Sequence, residues 1–231
     1  MIKQDIINDV VIETIPVEIG NSKHIENCYL VYDEKNMVGI LVDPGDKAEY
    51  IIDEIEKNKV KIKTIILTHT HADHFGALEK LLKYFNVNVY INENDVDGLI
   101  DNEKSCFDYI DVEHQNIDKK LVMPVKDSDI IEFGRLNIEF IHTPGHTNGG
   151  MCVYEKTSNV LFTGDTIFAR YYGRTDLKSG SIIDMKNSIK KLFDRFSNVL
   201  IFPGHEESSN IDKAKKRINL LLAVKEGEDI K

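Results

Sequence analysis

Residues 68–74, THTHADH, place three histidines and an aspartate within seven positions. Three charged imidazoles this close would repel one another, and none of the four side chains supplies ordinary core packing. A bound cation answers both objections, because neutral imidazole nitrogens and carboxylate oxygens are ligands for zinc and related divalent ions. His69 and His71 follow an apolar run and are two apart, so in extended backbone they point the same way and form a ready metal pair. Asp73 and His74 continue the loop, and Asp73 has a second possible use as the cap of the next helix.

Four ligands on one loop fit poorly around one tetrahedral ion. Two ions, each completed from elsewhere in the chain, are the simpler solution. FIHTPGHT (140–147) and LIFPGHE (200–206) each end a strand-like run in Pro-Gly-His, where proline and glycine permit a sharp exit from the strand. His146 and His205 are therefore the candidate distant histidines. VLFTGDT (160–166) ends a third such run in Gly-Asp, and Asp165 can place one oxygen on each ion. Two divalent ions about 3.5–4 Å apart acidify a shared water and polarise a carbonyl. The chemistry this implies is hydrolysis of an ester-like bond with a metal-bridging hydroxide as nucleophile. Asp73 and Asp165 are the candidates to relay a proton to the leaving group.

The elements that must position these residues alternate between strand and helix patterns. Strands are predicted at 10–19, 28–33 and 37–43, a helix at 47–58, and a doubly covered strand at 64–68. A helix should then run from 73 or 74 to about 84, followed by a strand at 87–91. Residues 92–129 are polar, acidic and weakly periodic, fitting a short helix and a loop. The second half repeats the theme, with strands at 130–133, 136–143, 150–156 and 159–165. A helix at 183–196, a strand at 198–204 and a last helix at about 211–224 complete it. This order suggests two sheets packed together with helices outside, and no break in composition divides residues 1–231 into more than one domain.

Bulk composition narrows the function classes. Against 29 lysines and arginines stand 39 aspartates and glutamates, a formal charge of −10, which disfavours broad nucleic-acid binding. The main basic cluster, DKAKKR (212–217), falls in an apparent amphipathic helix and reads as a solvated helix face. The N-terminal MIKQDIINDV is charged and lacks the apolar run of a signal peptide, and no apolar stretch is long enough to span a membrane. Cys28, Cys106 and Cys152 form neither a CxxC pair nor a disulfide framework, so a cytoplasmic protein with reduced thiols is expected. His24 and His114 lie in polar surroundings and are expected at the surface, and His142 behind the site.

VDPG (42–45), THTHADH, TPGHT (143–147), GDT (164–166) and PGH (203–205) together resemble the metallo-β-lactamase fold superfamily, in the family's order and over most of the chain. The resemblance implies an α/β protein, an αββα four-layer sandwich of two mixed β-sheets flanked by helices, with the site at one edge between the sheets. It also implies a ligand set: His69, His71 and His146 on the first ion, Asp73, His74 and His205 on the second, and Asp165 bridging. Zinc is the first candidate, with iron or manganese as alternatives. Asp43 matches a position that supports the metal-binding loop from behind, although Asp-Pro-Gly is also an ordinary turn.

GDTIFARYYGRTDL (164–177) resembles a segment of glyoxalase II and its shorter bacterial relatives. That likeness implies thioester hydrolysis, with S-D-lactoylglutathione as the reference substrate. Tyr171, Tyr172 and Arg174 are candidates to line the substrate pocket, while Arg174 could equally serve only to bridge Asp176. Only 26 residues follow His205, too few for the glutathione-holding helical region of glyoxalase II. Glu206 and Glu207 follow His205, either as negative charge at the mouth or as solvated loop residues. A mononuclear-iron persulfide dioxygenase, and a lactonase or other ester hydrolase, are the alternatives within the same fold. The expected partner is a small-molecule substrate. Neither nucleic acid nor membrane is expected, and the sequence leaves the oligomeric state open.

Overall fold

A computed structural model describes residues 2–225, with side chains described as far as residue 222. Thirteen strands form two mixed sheets. The first holds β1 (Lys3–Ile7), β2 (Val10–Glu18), β3 (Ile25–Asp33), β4 (Val38–Val42), β5 (Lys61–Ile66), β6 (Asn88–Asn92) and β7 (Val122–Val125), in chain order. Its neighbours are antiparallel from β1 to β4 and parallel from β4 to β7. The second holds β8 (Ile130–Phe133), β9 (Leu136–His142), β10 (Met151–Glu155), β11 (Val160–Gly164), β12 (Leu200–Pro203) and β13 (Ser209–Asn210), ordered 13-12-11-10-9-8. There β11 and β12 run parallel and the other pairs antiparallel.

The period-two alternation of apolar side chains builds three cores from two sheets. Val10, Ile12, Tyr29, Val31, Ile40, Val42 and Ile66 of the first sheet meet Ile138, Phe140, Val153, Val160, Phe162 and Phe202 of the second. The intervening residues point outward. Val11, Leu30 and Leu41 pack with Ile51 and Ile55 of α1 (Ala48–Asn58) and Leu78 and Leu81 of α3 (Leu78–Phe85). Ile141, Cys152, Leu161 and Ile201 pack with Met185, Ile189 and Leu192 of α5 (Ile182–Arg195) and Ile218 of α6 (Ile211–Lys225). Strands covered on both faces explain the near-continuous apolar runs in the sequence. The four layers are helix, sheet, sheet and helix. Among the described residues no helix is long and apolar enough to cross a membrane.

Two features depart from the sequence reading. The helix expected over 73–84 is broken into α2 (Ala72–Phe75) and α3. At the break a side chain on Gly76 would strike the Gly45 carbonyl at 2.3 Å, and the Ala77 amide donates to the Pro44 carbonyl at 3.1 Å. The chain thus interrupts its helix to dock on the 43–45 turn. β1 and β7 are edge strands with largely exposed side chains, and β7 contains Pro124. Such strands lack the apolar signal of buried ones and tolerate proline. The expected short helix is present as α4 (Asn102–Ser105), amid three 3₁₀ turns at Glu93–Leu99, Phe107–Tyr109 and Lys119–Leu121.

Candidate metal centre

The C-terminal ends of β4, β5, β9, β11 and β12 deliver Asp43, the 68–74 loop, His146, Asp165 and His205 to one edge of the sandwich. Residues up to 136 positions apart are brought together there. His146 Nε2 lies 3.4 Å from Asp165 Oδ2, and His205 Nε2 lies 3.6 Å from the same oxygen. His74 Nε2 is 3.5 Å from Asp165 Oδ1. His205 Nε2 is 3.4 Å from Asp73 Oδ2, and His74 Nε2 is 4.0 Å from it. His69, His71 and His146 each offer a ligand atom within 4.8 Å of the other two, and so do His69, His74 and Asp165. Asp165 thus stands among the histidines, Oδ2 toward His146 and His205 and Oδ1 toward His74.

Most of these spacings are long for hydrogen bonds. They match the separation of two ligands on one tetrahedral ion, which for bonds of about 2.0–2.1 Å is about 3.3–3.4 Å. The remaining ring nitrogens explain the orientation. His146 Nδ1 donates to the Arg174 carbonyl at 2.7 Å, and His205 Nδ1 donates to the Ile25 carbonyl at 2.7 Å. Asp43 accepts from the Thr68 amide at 2.7 Å and the Thr68 hydroxyl at 2.6 Å. It also accepts from His74 Nδ1 at 3.1 Å. The Thr68 hydroxyl, its proton given to Asp43, accepts from His69 Nδ1 at 3.1 Å. Each of these four rings is anchored outward through Nδ1 and turns its Nε2 inward.

The inward atoms have no protein partner. Nε2 of His69, His71, His74 and His146, and Oδ1 of Asp165, are buried without a hydrogen bond. Buried polar atoms are normally satisfied, and leaving several lone pairs facing one another is costly. A cation is the partner that accepts all of them, so the donor set fits the metal pair read from the sequence.

Protonation follows the same logic. Burial, joined by the neighbouring His74, His71 and His146, pushes His69 well below the ordinary imidazole value, and burial with His146 brings His71 to about 3. Both are neutral, as ligands must be. Burial opposes ionisation of Asp73 and Asp165, yet the surrounding histidines hold both carboxyls below the usual range. Burial would likewise depress His205, but the charges of Asp165 and Asp73 lift it to about 10. In the metal-free protein, protons on this side stand in for part of the missing positive charge.

Glycines allow the close approach. A side chain on Gly204 would meet His74 Cε1 at 2.4 Å and Asp165 Oδ1 at 2.5 Å. Gly164 adopts φ +45°, and a side chain there would meet Thr68 Oγ1 at 2.3 Å.

Beside the centre opens a cleft of about 710 Å³, whose lining includes His146, Asp165 and His205. Tyr171, Tyr172 and Arg174 all line it. Arg174 is also paired with Asp176, Nε to Oδ1 and Nη2 to Oδ2, both at 2.8 Å. Glu207 pairs with Arg170 at 3.0 Å.

Sequence reasoning missed three neighbours. His24, expected only at the surface, lines the cleft, with Nε2 3.1 Å from Asp73 Oδ2 and its ring centroid 4.5 Å from that of His205. Asp95, in the segment read as polar loop, accepts from the Thr147 hydroxyl at 2.6 Å and the Gly149 amide at 2.7 Å, fixing the turn after His146. Glu26 is fully buried, 3.9 Å from His74 Nδ1. Burial first, then the charges of Asp43, Asp73 and Asp165, raise its carboxyl well above the ordinary value. None of the three stands in a local pattern that marks it. His114 stacks on Phe107, and His142 accepts no role at the centre, its Nε2 donating to the Asn148 carbonyl at 2.9 Å.

Comparison with known proteins agrees with this geometry. The profile of the metallo-beta-lactamase superfamily matches residues 22–205. The chain belongs to this superfamily of metal-dependent hydrolases. It is 32% identical over 215 residues to the hydroxyacylglutathione hydrolase GloC of Haemophilus influenzae, covering 89% of this chain and 95% of that protein. It is 36% identical over 199 residues to a probable metallo-hydrolase of Methanocaldococcus jannaschii, covering 83% and 92%. The crystal structure of the B3 metallo-beta-lactamase BLEG-1 superposes with a TM-score of 0.79 at 25% identity, covering 90% of this chain and 99% of that one.

Proposed function

We propose that the chain is a binuclear metal-dependent hydrolase that cleaves a thioester of a small molecule. The observation that carries this reading is the convergence of inward, unpartnered imidazole nitrogens on the Asp165 carboxylate at the edge of an open cleft. His69, His71 and His146 would hold one ion and Asp73, His74 and His205 the other, with Asp165 shared between the two sets. Zinc suits these nitrogen and oxygen donors, and iron or manganese can take the same set. Two such cations supply an acidified shared water and a Lewis acid for the substrate carbonyl.

The chain's own residues do the rest. Asp43 locks Thr68 and His74, so the loop presents its ligands in one geometry. Asp165 lines the cleft and Asp73 meets the cleft-lining His24, so these two carboxylates are the candidates to hand a proton toward the leaving group. A thiol leaves near its ordinary pKa of about 8.5, so little assistance is required. The formal charge of −10 argues against nucleic acid as the substrate. Cys28, Cys106 and Cys152 are buried and unbridged, which fits a reducing cytoplasm.

The likeness to a hydroxyacylglutathione hydrolase supports thioesters over other esters. Elemental analysis of the purified protein, with hydrolysis assays on S-D-lactoylglutathione, other thioesters and lactones, tests the reading. Two divalent ions per chain and thioester turnover that disappears with chelator or in His71→Ala are expected. One iron per chain with oxygen consumption on glutathione persulfide would overturn it.

A further inference from the structure

The cleft carries information about the substrate beyond the scissile bond. Its walls are largely apolar: Phe168, Tyr171, Tyr172, Ile182 and, from the C-terminal helix, Leu221. Tyr171, Ile182 and Leu221 keep 39%, 41% and 39% of their surface exposed, an unusual placement for large apolar groups flanking one opening. Among the described residues lining the cleft the sole lysine or arginine is Arg174. One edge of its guanidinium, Nε and Nη2, is taken by the two oxygens of Asp176 at 2.8 Å each, so its charge is already matched by a carboxylate. Asp176 stays ionised in that pair, the Arg174 hydrogen bonds holding it to about 2.

A substrate carboxylate approaching Arg174 must therefore either displace a carboxylate of the same charge or bind beside it at the remaining guanidinium edge. The exchange gains little, and the displaced Asp176 remains beside the incoming anion. The second arginine of this segment, Arg170, is committed to Glu207. Glu206 lies against the Tyr171 hydroxyl, where burial first and then this carboxylate push the phenol up to about 12. Among the described residues lining the cleft no lysine or arginine other than Arg174, already paired with Asp176, is available to the two carboxylates of glutathione, whereas the apolar walls favour hydrocarbon at about 25 cal/mol per Å² covered.

We infer that the cleft selects thioesters of an uncharged thiol carrier bearing an apolar acyl chain, and that the Arg174–Asp176 pair enforces the exclusion of anionic carriers. The inference rests on the thioester reading of the site, but its test does not depend on turnover. Calorimetry on the metal-loaded protein would compare S-hexylglutathione with S-hexyl-N-acetylcysteamine, two stable thioethers that differ only in carrier. The uncharged compound should bind at least about tenfold more tightly, and S-ethyl-N-acetylcysteamine about tenfold more weakly than its hexyl homologue. Asp176→Asn, which releases Arg174, should narrow the gap between the two hexyl ligands by about threefold or more, with a gain that fades at high salt. Kinetics with the D-lactoyl and hexanoyl thioesters of both carriers should follow the same order.

Equal or tighter binding of S-hexylglutathione by the wild-type protein would overturn the assignment, as would an Asp176→Asn variant with an unaltered gap. Failure to hydrolyse any thioester while the binding order holds would overturn the thioesterase reading and leave the cleft's preference standing.

Discussion

His24 Nε2 stands 3.1 Å from Asp73 Oδ2, although 49 positions separate the two residues and His24 belongs to no metal-binding pattern in the sequence. The ring also packs against His205, with centroids 4.5 Å apart. His24 thus steadies the carboxylate on the more open side of the centre.

His24→Ala should leave the fold intact and loosen the second ion. Groups that orient a metal ligand are typically worth about 10–100-fold in metal affinity or activity. Chelator competition, reading the release of each ion separately, checks this. Unchanged affinity for both ions would show that His24 only shares the cleft.

Asp43→Ala removes the acceptor for Thr68 and His74 at once. The site is buried, with Asp43 only 1% exposed. Loss of hydrogen bonds to a buried charged group predicts about 3 kcal/mol of lost stability. Urea denaturation of metal-free and metal-loaded protein measures it, with the larger loss expected in the loaded form. A cost within about 0.5 kcal/mol would assign Asp43 to an ordinary turn.

Gly204→Ala inserts a methyl group where His74 and Asp165 leave 2.4 and 2.5 Å. Both ligands must shift, and displacement by about 1 Å can cost about 100-fold in rate. Activity, metal content and circular dichroism together decide it. Loss of activity with retained secondary structure is expected, and full activity would mean that the backbone yields instead.

In the metal-free protein, stability should depend on pH through His205. Burial opposes its charge, but Asp165 and Asp73 raise it to about 10, above the unfolded value of about 6.5. The raised pKa contributes stability that is complete below about pH 6.5 and is lost as pH climbs through about 10. Thermal melts of chelated protein from pH 6 to 10 should fall accordingly, with a flatter profile in His205→Ala. Identical slopes would assign the pH dependence to other groups.

Much of the site was legible before any coordinates, because its chemistry is written in dense local patterns. Three histidines and an aspartate in seven positions, and two Pro-Gly-His strand ends, mark ligands by type and spacing. The strands covered on both faces were equally clear, since each is a continuous apolar run. The edge strands β1 and β7 were not, because their exposed side chains look like loop. The helix break at Gly76 was hidden because its cause, the turn at 43–45, lies some 30 positions away in the chain.

The residue types alone pointed to a cation site here, because unpaired imidazoles and carboxylates have few other stable fates in a core. The order of strand-like and helix-like segments also suggested two sheets packed together with helices outside. Only the tertiary structure decided that Asp165 stands between His146, His205 and His74, that His24, Glu26 and Asp95 surround the ligands, and that Arg174 both lines the cleft and pairs with Asp176. These are contacts between distant segments, set by how two sheets pack and how their loops meet, and no local pattern encodes the distance across such a gap.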